Sequence, residues 1–356
     1  MGRIRPVGLL AIAMAALALG LAACGSSSSN KTATTPAGGG ATGTAGSSSS
    51  GAKLKVGVVT DIGGLNDRGF NHLAYVGLLR AESQLGIQGR VLTSSSGADY
   101  LPNLTTLARD GYNLIIPVGF LMAQATDQVA KAFPSAKFAM VDSDATMEAG
   151  DPKNIEGLLF EEQQAGYLAG YLSGLYAKEH NYHIISSVGG QKIPPVDHYI
   201  AGFQAGAKAA NPGIQTLNAY SQDFTAQDKC KEIALNQIAQ GSKVVFQVAG
   251  GCGLGALSAA QQKGVQGIGV DSDQSFLGTY ILTSAEKKVD NAVFNAIQSL
   301  KAGRFAAGTN VTNSIANGGI GYGKIGPAGL KFAPEIAKIY NEIKSGQISN
   351  IPNTVK

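Results

Sequence analysis

The sequence has few of the residues from which most catalytic and metal sites are built. Its four histidines are His72, His180, His183 and His198. They do not form the spacing typical of a metal site, and no G-x-S-x-G segment offers the nucleophile elbow of a hydrolase. We therefore expect no catalytic residue, no bound metal and no cofactor.

The chain also lacks tryptophan and any large excess of charge of one sign. Its formal net charge is +4, and loss of Arg3 and Arg5 with an N-terminal leader would leave about +2. So small a charge gives no reason to expect a nucleic-acid partner. The 356 residues are 44% hydrophobic with 48 glycines, a globular balance that suits about two domains.

Cysteine is scarce, and the first of the three, Cys24, ends an N-terminal leader. The leader has a basic segment, "MGRIRP", and an apolar run, "VGLLAIAMAALALGLAAC", that ends in small residues. This pattern is typical of a secretory signal, and "LAAC" resembles the lipobox of bacterial lipoproteins. We expect residues 1–24 to be a signal peptide with lipidation at Cys24. An uncleaved membrane helix is the alternative, because the apolar run approaches a minimal span.

The next segment, residues 25–52, consists mainly of serine, glycine, threonine and alanine. Such a composition cannot bury enough apolar surface to offset its ordering entropy. We expect a disordered tether with a root-mean-square length of about 30 Å. The folded part should then begin near Lys53, held to a membrane surface through the lipid anchor.

From Lys53 onwards, short apolar runs alternate with longer amphipathic segments, which predicts an α/β protein with parallel sheets. The pattern occurs twice, and in each half the fourth run ends in "DSD", at Asp144 and at Asp273. We expect two doubly wound lobes joined by a hinge, with a boundary in the range 160–185. Residues 53–175 would form the first lobe, 176–285 the second, and 286–356 a crossover helix and C-terminal segment completing both. Functional residues should follow the strands and line an interlobe cleft.

The two remaining cysteines are Cys230, in a predicted helix, and Cys252, in a glycine-rich loop after the next strand. Neighbouring elements of a βαβ unit can approach within bridging distance. An extracytoplasmic compartment would permit a disulfide, and two buried free thiols are the alternative.

The strand-to-helix connection "DIGGLNDRGFN" carries unusual chemistry for a turn. Asp61 ends a predicted strand, and Asp67 can cap the following helix. Phe70 and Asn71 fall in the first helical turn, where Phe70 belongs either to the core or to a ligand site. A carboxylate, an amide and a ring together suit a ligand with hydroxyls and a flat ring.

The same stretch resembles the signature of the basic membrane protein family of lipoproteins. Further matching segments include "FAMVDSD", "GYLAGYLSG", "FQVAGGCGLG" and "IGVDSDQS", and the resemblance covers about residues 54–300. Members of this family are substrate-binding proteins of ABC transporters with the type I periplasmic-binding fold. Characterised members bind purine nucleosides.

The resemblance implies a set of ligand-binding residues in addition to those of the turn. The carboxylate after the fourth strand is Asp142 or Asp144, with Asp142 preferred. One stacking ring is Phe224 in "SQDFTAQ", and the other is Tyr199 or Phe203, which are one helical turn apart. The ribose carboxylate is Asp271, and the lysine of the "TSxxK" segment is Lys287. The complete set is Asp61, Phe70, Asn71, Asp142, Tyr199, Phe203, Phe224, Asp271 and Lys287.

Two other patterns have less support. "GCGLGA" at 251–256 fits the dinucleotide fingerprint with Asp271 beyond it, but no second catalytic group accompanies it. An EF-hand loop from Asp142 fails, because Met147 and Lys153 occupy its glycine and glutamate positions.

The sequence therefore predicts an extracytoplasmic, lipid-anchored protein that binds a nucleoside, with a purine base, and delivers it to an ABC permease. We expect a monomer. A secreted nucleoside-cleaving hydrolase and a ligand sensor of the same fold without a transport partner are the alternatives.

Overall fold

The computed structural model describes residues 53–147 and 152–355. The predicted signal peptide with Cys24 and the predicted tether lie outside these ranges. Within them, no helix combines the length and the apolar character needed to cross a membrane.

The described residues form twelve strands, which we number in chain order. They are β1 (Lys55–Val59), β2 (Gln88–Leu92), β3 (Leu114–Pro117), β4 (Lys137–Val141), β5 (Ile155–Phe160), β6 (Ile184–Gly189), β7 (Gln215–Tyr220), β8 (Val244–Val248), β9 (Gln266–Asp271), β10 (Ile281–Lys287), β11 (Asn310–Asn313) and β12 (Ile320–Tyr322).

Nine α-helices lie between or after these strands within the same described ranges. They are α1 (Phe70–Leu85), α2 (Tyr100–Arg109), α3 (Ala123–Ala132), α4 (Glu162–Glu179), α5 (Pro194–Ala210), α6 (Gln227–Ala239), α7 (Gly250–Lys263), α8 (Val289–Lys301) and α9 (Ala333–Lys344). Helices α1 and α7 end at glycines in the left-handed conformation, Gly86 and Gly264, a common way to stop a helix.

The strands build two six-stranded sheets with the same internal order. The first sheet runs β11-β5-β4-β3-β1-β2, and the second runs β12-β10-β9-β8-β6-β7. Among the described residues, only β10 and β12 pair antiparallel. Central strands such as β3 and β8 are buried along their whole length, because helices cover both faces of a parallel sheet. The expectation of two doubly wound α/β lobes is confirmed.

The chain passes between the lobes three times: from β5 into α4, from β10 through α8 into β11, and from β11 to β12. The three crossings are tied together by backbone hydrogen bonds. The Glu161 amide donates to the Asn313 carbonyl oxygen (2.9 Å), and the Lys288 amide donates to that of Gly319 (2.9 Å). They form a narrow, connected hinge.

Helix α4 packs on the second lobe, against α5 and β10. A Cβ added at Gly170 would lie 2.0 Å from the Phe203 carbonyl oxygen, and one at Gly166 would lie 2.1 Å from that of Tyr199. The two helices therefore touch backbone to backbone. The expected lobe boundary at residue 175 falls inside α4, and we place the first passage between lobes at Glu161.

Cys230 in α6 and Cys252 in α7 are joined by a disulfide, with their Cα atoms 5.6 Å apart. Both residues are fully buried in a small apolar cluster of the second lobe, shared with side chains of β6 and β8 such as Val188 and Val245.

Candidate functional site

A cavity of about 610 Å³, its mouth included, lies between the lobes where the strands of both sheets end. Eight of the nine predicted ligand residues line it: Asp61, Phe70, Asn71, Asp142, Tyr199, Phe224, Asp271 and Lys287. Its lining also includes the residues Gly63, Asp67, Gly119, Phe120, Leu121, Ile193, Pro195, Val196, Val248, Gly250 and Val270.

The ninth predicted residue, Phe203, does not line the cavity. It is fully buried, and its ring centroid lies 5.0 Å from that of Phe246. Its backbone meets Gly170 of α4. Of the two alternatives, the structure therefore brings Tyr199 to the cavity and leaves Phe203 in the core.

Tyr199 contacts a carboxylate as well as the cavity. Its hydroxyl donates to Asp271 Oδ1 at 3.2 Å. Burial and the neighbouring charge of Asp271 raise the pKa of Tyr199 well above its usual value. The hydroxyl therefore remains a donor that fixes one oxygen of Asp271.

The connection after β1 is organised around Asn71. Its Nδ2 donates to Asp61 Oδ1 (2.7 Å) and to Asp67 Oδ2 (3.2 Å), and its Oδ1 accepts from the Asp61 amide (3.1 Å). Both amide donors are thus used within the protein. Asn71 holds two carboxylates in place at the wall of the cavity.

Asp67 caps α1, as the sequence predicted. Its carboxylate accepts the backbone amides of Gly69 (3.1 Å), Asn71 (2.7 Å) and His72 (3.1 Å). These amides belong to the helix start, where they have no partner within the helix. The cap also fixes the first helical turn, which carries Phe70.

Phe70 is half-buried, and it both packs against the core and lines the cavity. The Lys287 ammonium lies 5.0 Å from the Phe70 ring centroid and 4.7 Å from that of Phe160. A cation at this distance is attracted by the ring quadrupole, which fixes the orientation of Phe70.

Lys287 is the centre of a buried charge cluster at the hinge. Its Nζ lies 2.6 Å from Asp142 Oδ1, in the first lobe, and 2.9 Å from Glu162 Oε1, at the start of α4. His198 Nδ1 lies 3.0 Å from the other oxygen of Glu162. The ammonium therefore donates a hydrogen bond to Glu162 and forms an ion pair with Asp142.

Burial and the neighbouring charges shift the pKa values of Lys287 and Glu162 in opposite directions. Burial would lower the pKa of Lys287, but the charges of Asp142, Glu162 and Asp271 raise it. Burial would raise the pKa of Glu162, but the charge of Lys287 and the contact with His198 lower it. The ammonium and the Glu162 carboxylate thus remain ionised.

Three cavity carboxyls keep raised pKa values because burial is their largest influence. The pKa is raised to about 6 for Asp61, to about 6 for Asp142, and to about 7 for Asp271. Desolvation disfavours the charged form of a carboxyl. A ligand that donates hydrogen bonds here would favour ionisation.

Asp142 and Asp271 stand at matching positions, directly after or at the end of the fourth strand of each lobe. Both have left-handed backbones, with φ of 68° and 63°, which few non-glycine residues other than Asn and Asp adopt. Asp144 lies away from the cavity lining, and its Oδ1 accepts the Thr146 amide at 2.8 Å. The structure thus brings the preferred residue of the first "DSD" to the site.

Phe224 lies in the loop between β7 and α6 and lines the same cavity as Phe70. A Cβ at Gly190 would lie 2.2 Å from the Phe224 ring, so the ring rests directly on the backbone after β6. Each lobe thus contributes aromatic residues to the same space: Phe70 and Phe120 from the first lobe, and Tyr199 and Phe224 from the second.

Sequence reasoning missed Glu162 and His198. Neither residue stands in one of the quoted motifs, and Glu162 meets Lys287 only after the chain has crossed between the lobes. Among the described residues, no group of histidine, cysteine and carboxylate side chains is arranged to hold a metal ion.

Comparison with known proteins assigns the chain to a protein family. Residues 54–353 match the family described as "ABC transporter substrate-binding protein PnrA-like" (Bmp). The chain belongs to this family. The resemblance of the sequence to the basic membrane protein family is thereby confirmed.

Relatives of the chain span most of its length. It is similar to a CD4+ T-cell-stimulating antigen of Listeria monocytogenes (35% identity; 75% of this chain, 79% of the relative). It is similar to the ABC transporter nucleoside-binding protein BmpA of Lactococcus lactis (33%; 83% and 88%). It is also similar to an uncharacterized lipoprotein of Pyrococcus furiosus (31%; 86% and 78%).

Solved structures agree on the fold. An ABC transporter solute-binding protein of Aeropyrum pernix superposes with a TM-score of 0.75 at 25% identity, covering 84% of this chain and 94% of the other. The myo-inositol binding protein of Caulobacter, at 15% identity, has a TM-score of 0.58 and covers 80% and 97%. The two-lobed fold is that of type I periplasmic binding proteins.

Proposed function

We propose that this protein binds a nucleoside with a purine base in the interlobe cavity and delivers it to an ABC permease outside the cytoplasm. One observation carries the proposal. An aromatic ring from each lobe, Phe70 and Phe224, borders a space that also contains the carboxyls of Asp61, Asp142 and Asp271.

The chemistry of the lining matches the two halves of a nucleoside. A flat base stacks on aromatic rings, and such contacts contribute about 1–3 kcal/mol per base. Sugar hydroxyls donate to carboxylates, and a hydrogen bond to a charged group contributes about 1.5–3 kcal/mol. Asp271 is suited to the ribose, because Tyr199 occupies only one of its oxygens.

Closure of the lobes completes the site in this proposal. At the mouth, Ser272 Oγ of the second lobe donates to the Arg68 carbonyl oxygen of the first lobe (2.7 Å), and the Arg68 guanidinium lies 5.8 Å from the Phe276 ring centroid. A ligand that contacts both lobes would stabilise this closed form over an open one.

Calorimetry against guanosine, cytidine, guanine and ribose tests the proposal. We expect guanosine to bind most tightly, and chromatography after incubation should recover it intact. Binding of ribose without any nucleoside would overturn the ligand assignment. Release of guanine from guanosine would favour the hydrolase alternative.

The anchor is part of the same proposal. The lipobox-like "LAAC" ends at Cys24, and we propose acylation of this thiol. The substitution Cys24→Ser should move the protein from the membrane fraction to the soluble fraction. Immunoblotting of both fractions measures this. Full retention in the membrane fraction would instead support an uncleaved helix.

A further inference from the structure

We propose that the Cys230–Cys252 disulfide positions Phe224, and that it therefore sets nucleoside affinity as well as stability. The inference rests on the proposed function, in which Phe224 stacks on the base. Neither cysteine lines the cavity, so each would act through the loop that carries the ring.

The disulfide joins the first turns of the two helices that flank this loop. Cys230 is the fourth residue of α6, which follows the loop directly, and Cys252 is the third residue of α7. A Cβ at Gly255 of α7 would lie 1.9 Å from the Gln227 carbonyl oxygen at the start of α6. The two helix starts are thus in backbone contact and covalently joined.

Cys252 touches the loop on both sides of Thr225. Its backbone amide donates to the Phe224 carbonyl oxygen at 2.9 Å, and its Sγ lies 3.0 Å from the Ala226 carbonyl oxygen. The amide is one of those at a helix start that lack a partner within the helix. The loop therefore caps α7, and α7 in turn fixes the backbone of Phe224.

The other hydrogen bonds of the loop hold its start more firmly than its end. Its start is tied to the end of β6, where the Ser221 and Gln222 amides donate to Gly189 and Gly190 (2.9 and 3.0 Å). Beyond Phe224, Asp223 accepts the amides of Thr225 and Ala226 (2.8 and 3.0 Å). Asp223 also pairs with Lys229 of α6 (2.8 Å), so these bonds tie the turn to α6 only. Attachment after Phe224 therefore runs through the contacts between the starts of α6 and α7, and the cystine is the covalent one among them.

The ring has little room to accommodate a shift of its backbone. It rests on Gly190, where a Cβ would approach within 2.2 Å. If α6 and α7 separate at their starts, the loop end moves with α6, and the ring loses its fixed position on the second lobe. Base stacking depends on that position, whereas the contacts made by the first lobe do not.

A double-mutant cycle on the full-length protein tests this role, with guanosine as the probe in calorimetry. Cys230→Ala/Cys252→Ser should weaken guanosine binding about tenfold, the size expected for coupled residues. With Phe224→Ala already present, the same pair should cause no further loss. With Phe70→Ala present, it should keep its full effect.

Ile336→Ala is the matched control for lost stability. Ile336 is buried in α9, a helix that packs on α4, so its variant should melt earlier and bind guanosine with unchanged affinity. Wild-type affinity in the cystine variant, or an equal loss in the Phe224→Ala background, would overturn the inference. Cys230→Ser/Cys252→Ala serves if the first pair does not fold.

A readout without ligand separates this inference from the proposed function. If the wild type binds no nucleoside, the proposed function fails, and hydrogen exchange of the Thr225 and Ala226 amides decides the positioning role. Faster exchange of these amides in the cystine variant than in Ile336→Ala would support it. Equal exchange would refute it.

Discussion

Asp142 and Asp271 occupy matching turns of the two lobes, yet their partners differ in kind. Both are buried with left-handed backbones. Asp142 lies 2.6 Å from the Lys287 ammonium, whereas Asp271 accepts a hydrogen bond from the neutral Tyr199 hydroxyl. The same turn thus holds a carboxyl paired with a cation in one lobe and an unpaired carboxyl in the other.

This difference separates structural from ligand-directed roles within one cavity. A cation next to a buried carboxylate compensates part of its charge inside the protein. A buried carboxylate without one gains most from a partner that arrives from outside, such as a sugar hydroxyl. Four predictions test this division, beginning with the largest expected effect.

Removal of the cation should damage the fold itself. Lys287→Met leaves Asp142 and Glu162 buried without a counter-charge, and we expect a loss of about 3–5 kcal/mol in the free energy of unfolding. Denaturant titration measures it. The loss should shrink in acid, where protonated carboxyls no longer need the cation.

The neighbouring residue provides the control. The Lys288 side chain is 36% exposed and pairs with Glu286, which is 12% exposed. Because water still reaches the ammonium of this pair, Lys288→Met should cost less than Lys287→Met. Similar losses for the two variants would contradict the structural role of Lys287.

The unpaired carboxyl should matter for the ligand. Asp271→Asn keeps a residue type that tolerates positive φ and removes the charge. We expect guanosine binding to weaken by about 1.5–3 kcal/mol, guanine binding to stay unchanged, and the difference between guanosine and deoxyguanosine to narrow. Calorimetry with these three ligands measures the effect.

Asp273→Asn is the matched variant, since Asp273 ends the same "DSD" but accepts the Ser275 amide within its own turn. It should bind guanosine as the wild type does. An equal loss for all three ligands in Asp271→Asn would exclude the ribose role.

The aromatic rings should act on the base from both lobes. Phe70→Leu and Phe224→Leu should each weaken guanosine and guanine alike, by about 1–3 kcal/mol. Phe203→Leu, in the core beside the cavity, should lower the melting temperature and leave affinity unchanged. Loss of affinity in Phe203→Leu with none in Phe224→Leu would reverse the assignment of the rings.

We expect the smallest effect from pH, which should change both the stability of the ligand-free protein and its affinity for guanosine. Because burial raises the pKa of Asp271 to about 7, the ligand-free fold holds a proton that the unfolded chain releases near pH 4. The stability that this proton provides is lost as the pH rises from about 4 to about 7. Hydroxyl donors favour the ionised form, so guanosine affinity should rise over the upper part of that range.

Calorimetry between about pH 5 and 8 measures this pH dependence. For one proton, the guanosine affinity should change by at most about tenfold per pH unit. Asp271→Asn should flatten the curve. A profile equally steep in the variant would assign the proton to another carboxyl.

The sequence predicted the parts of the fold and site that depend on local pattern. Its strand-end position identified Asp61, because parallel strands present their carboxyl ends at one edge, whereas the family resemblance supplied Asp271. Helical spacing put Tyr199 and Phe203 on one face of α5 without telling which lies deeper. That difference depends on how closely the glycines of α4 let α5 approach.

Other features depend on contacts between distant segments. Glu162 and Lys287 are separated by 125 positions, and only the hinge brings them together. Asn71 was predicted to face a ligand, yet its amide is used by Asp61 and Asp67, a geometry that spacing does not reveal. The alternation of apolar and amphipathic segments also did not locate the first passage between the lobes. The expected boundary falls within α4, and the chain is helical on both sides of it.

The three crossings determine the order in which the molecule can be completed during synthesis. The first sheet receives its edge strand β11 from residues 310–313, and the second receives β12 from residues 320–322. At about 5–20 residues per second, roughly 8–30 s separate synthesis of β5 from that of its partner β11. Until then β5 is an open edge, and both lobes remain unfinished. Any chain that stops before residue 310 lacks an edge strand in each lobe. Such a truncation therefore leaves both lobes incomplete.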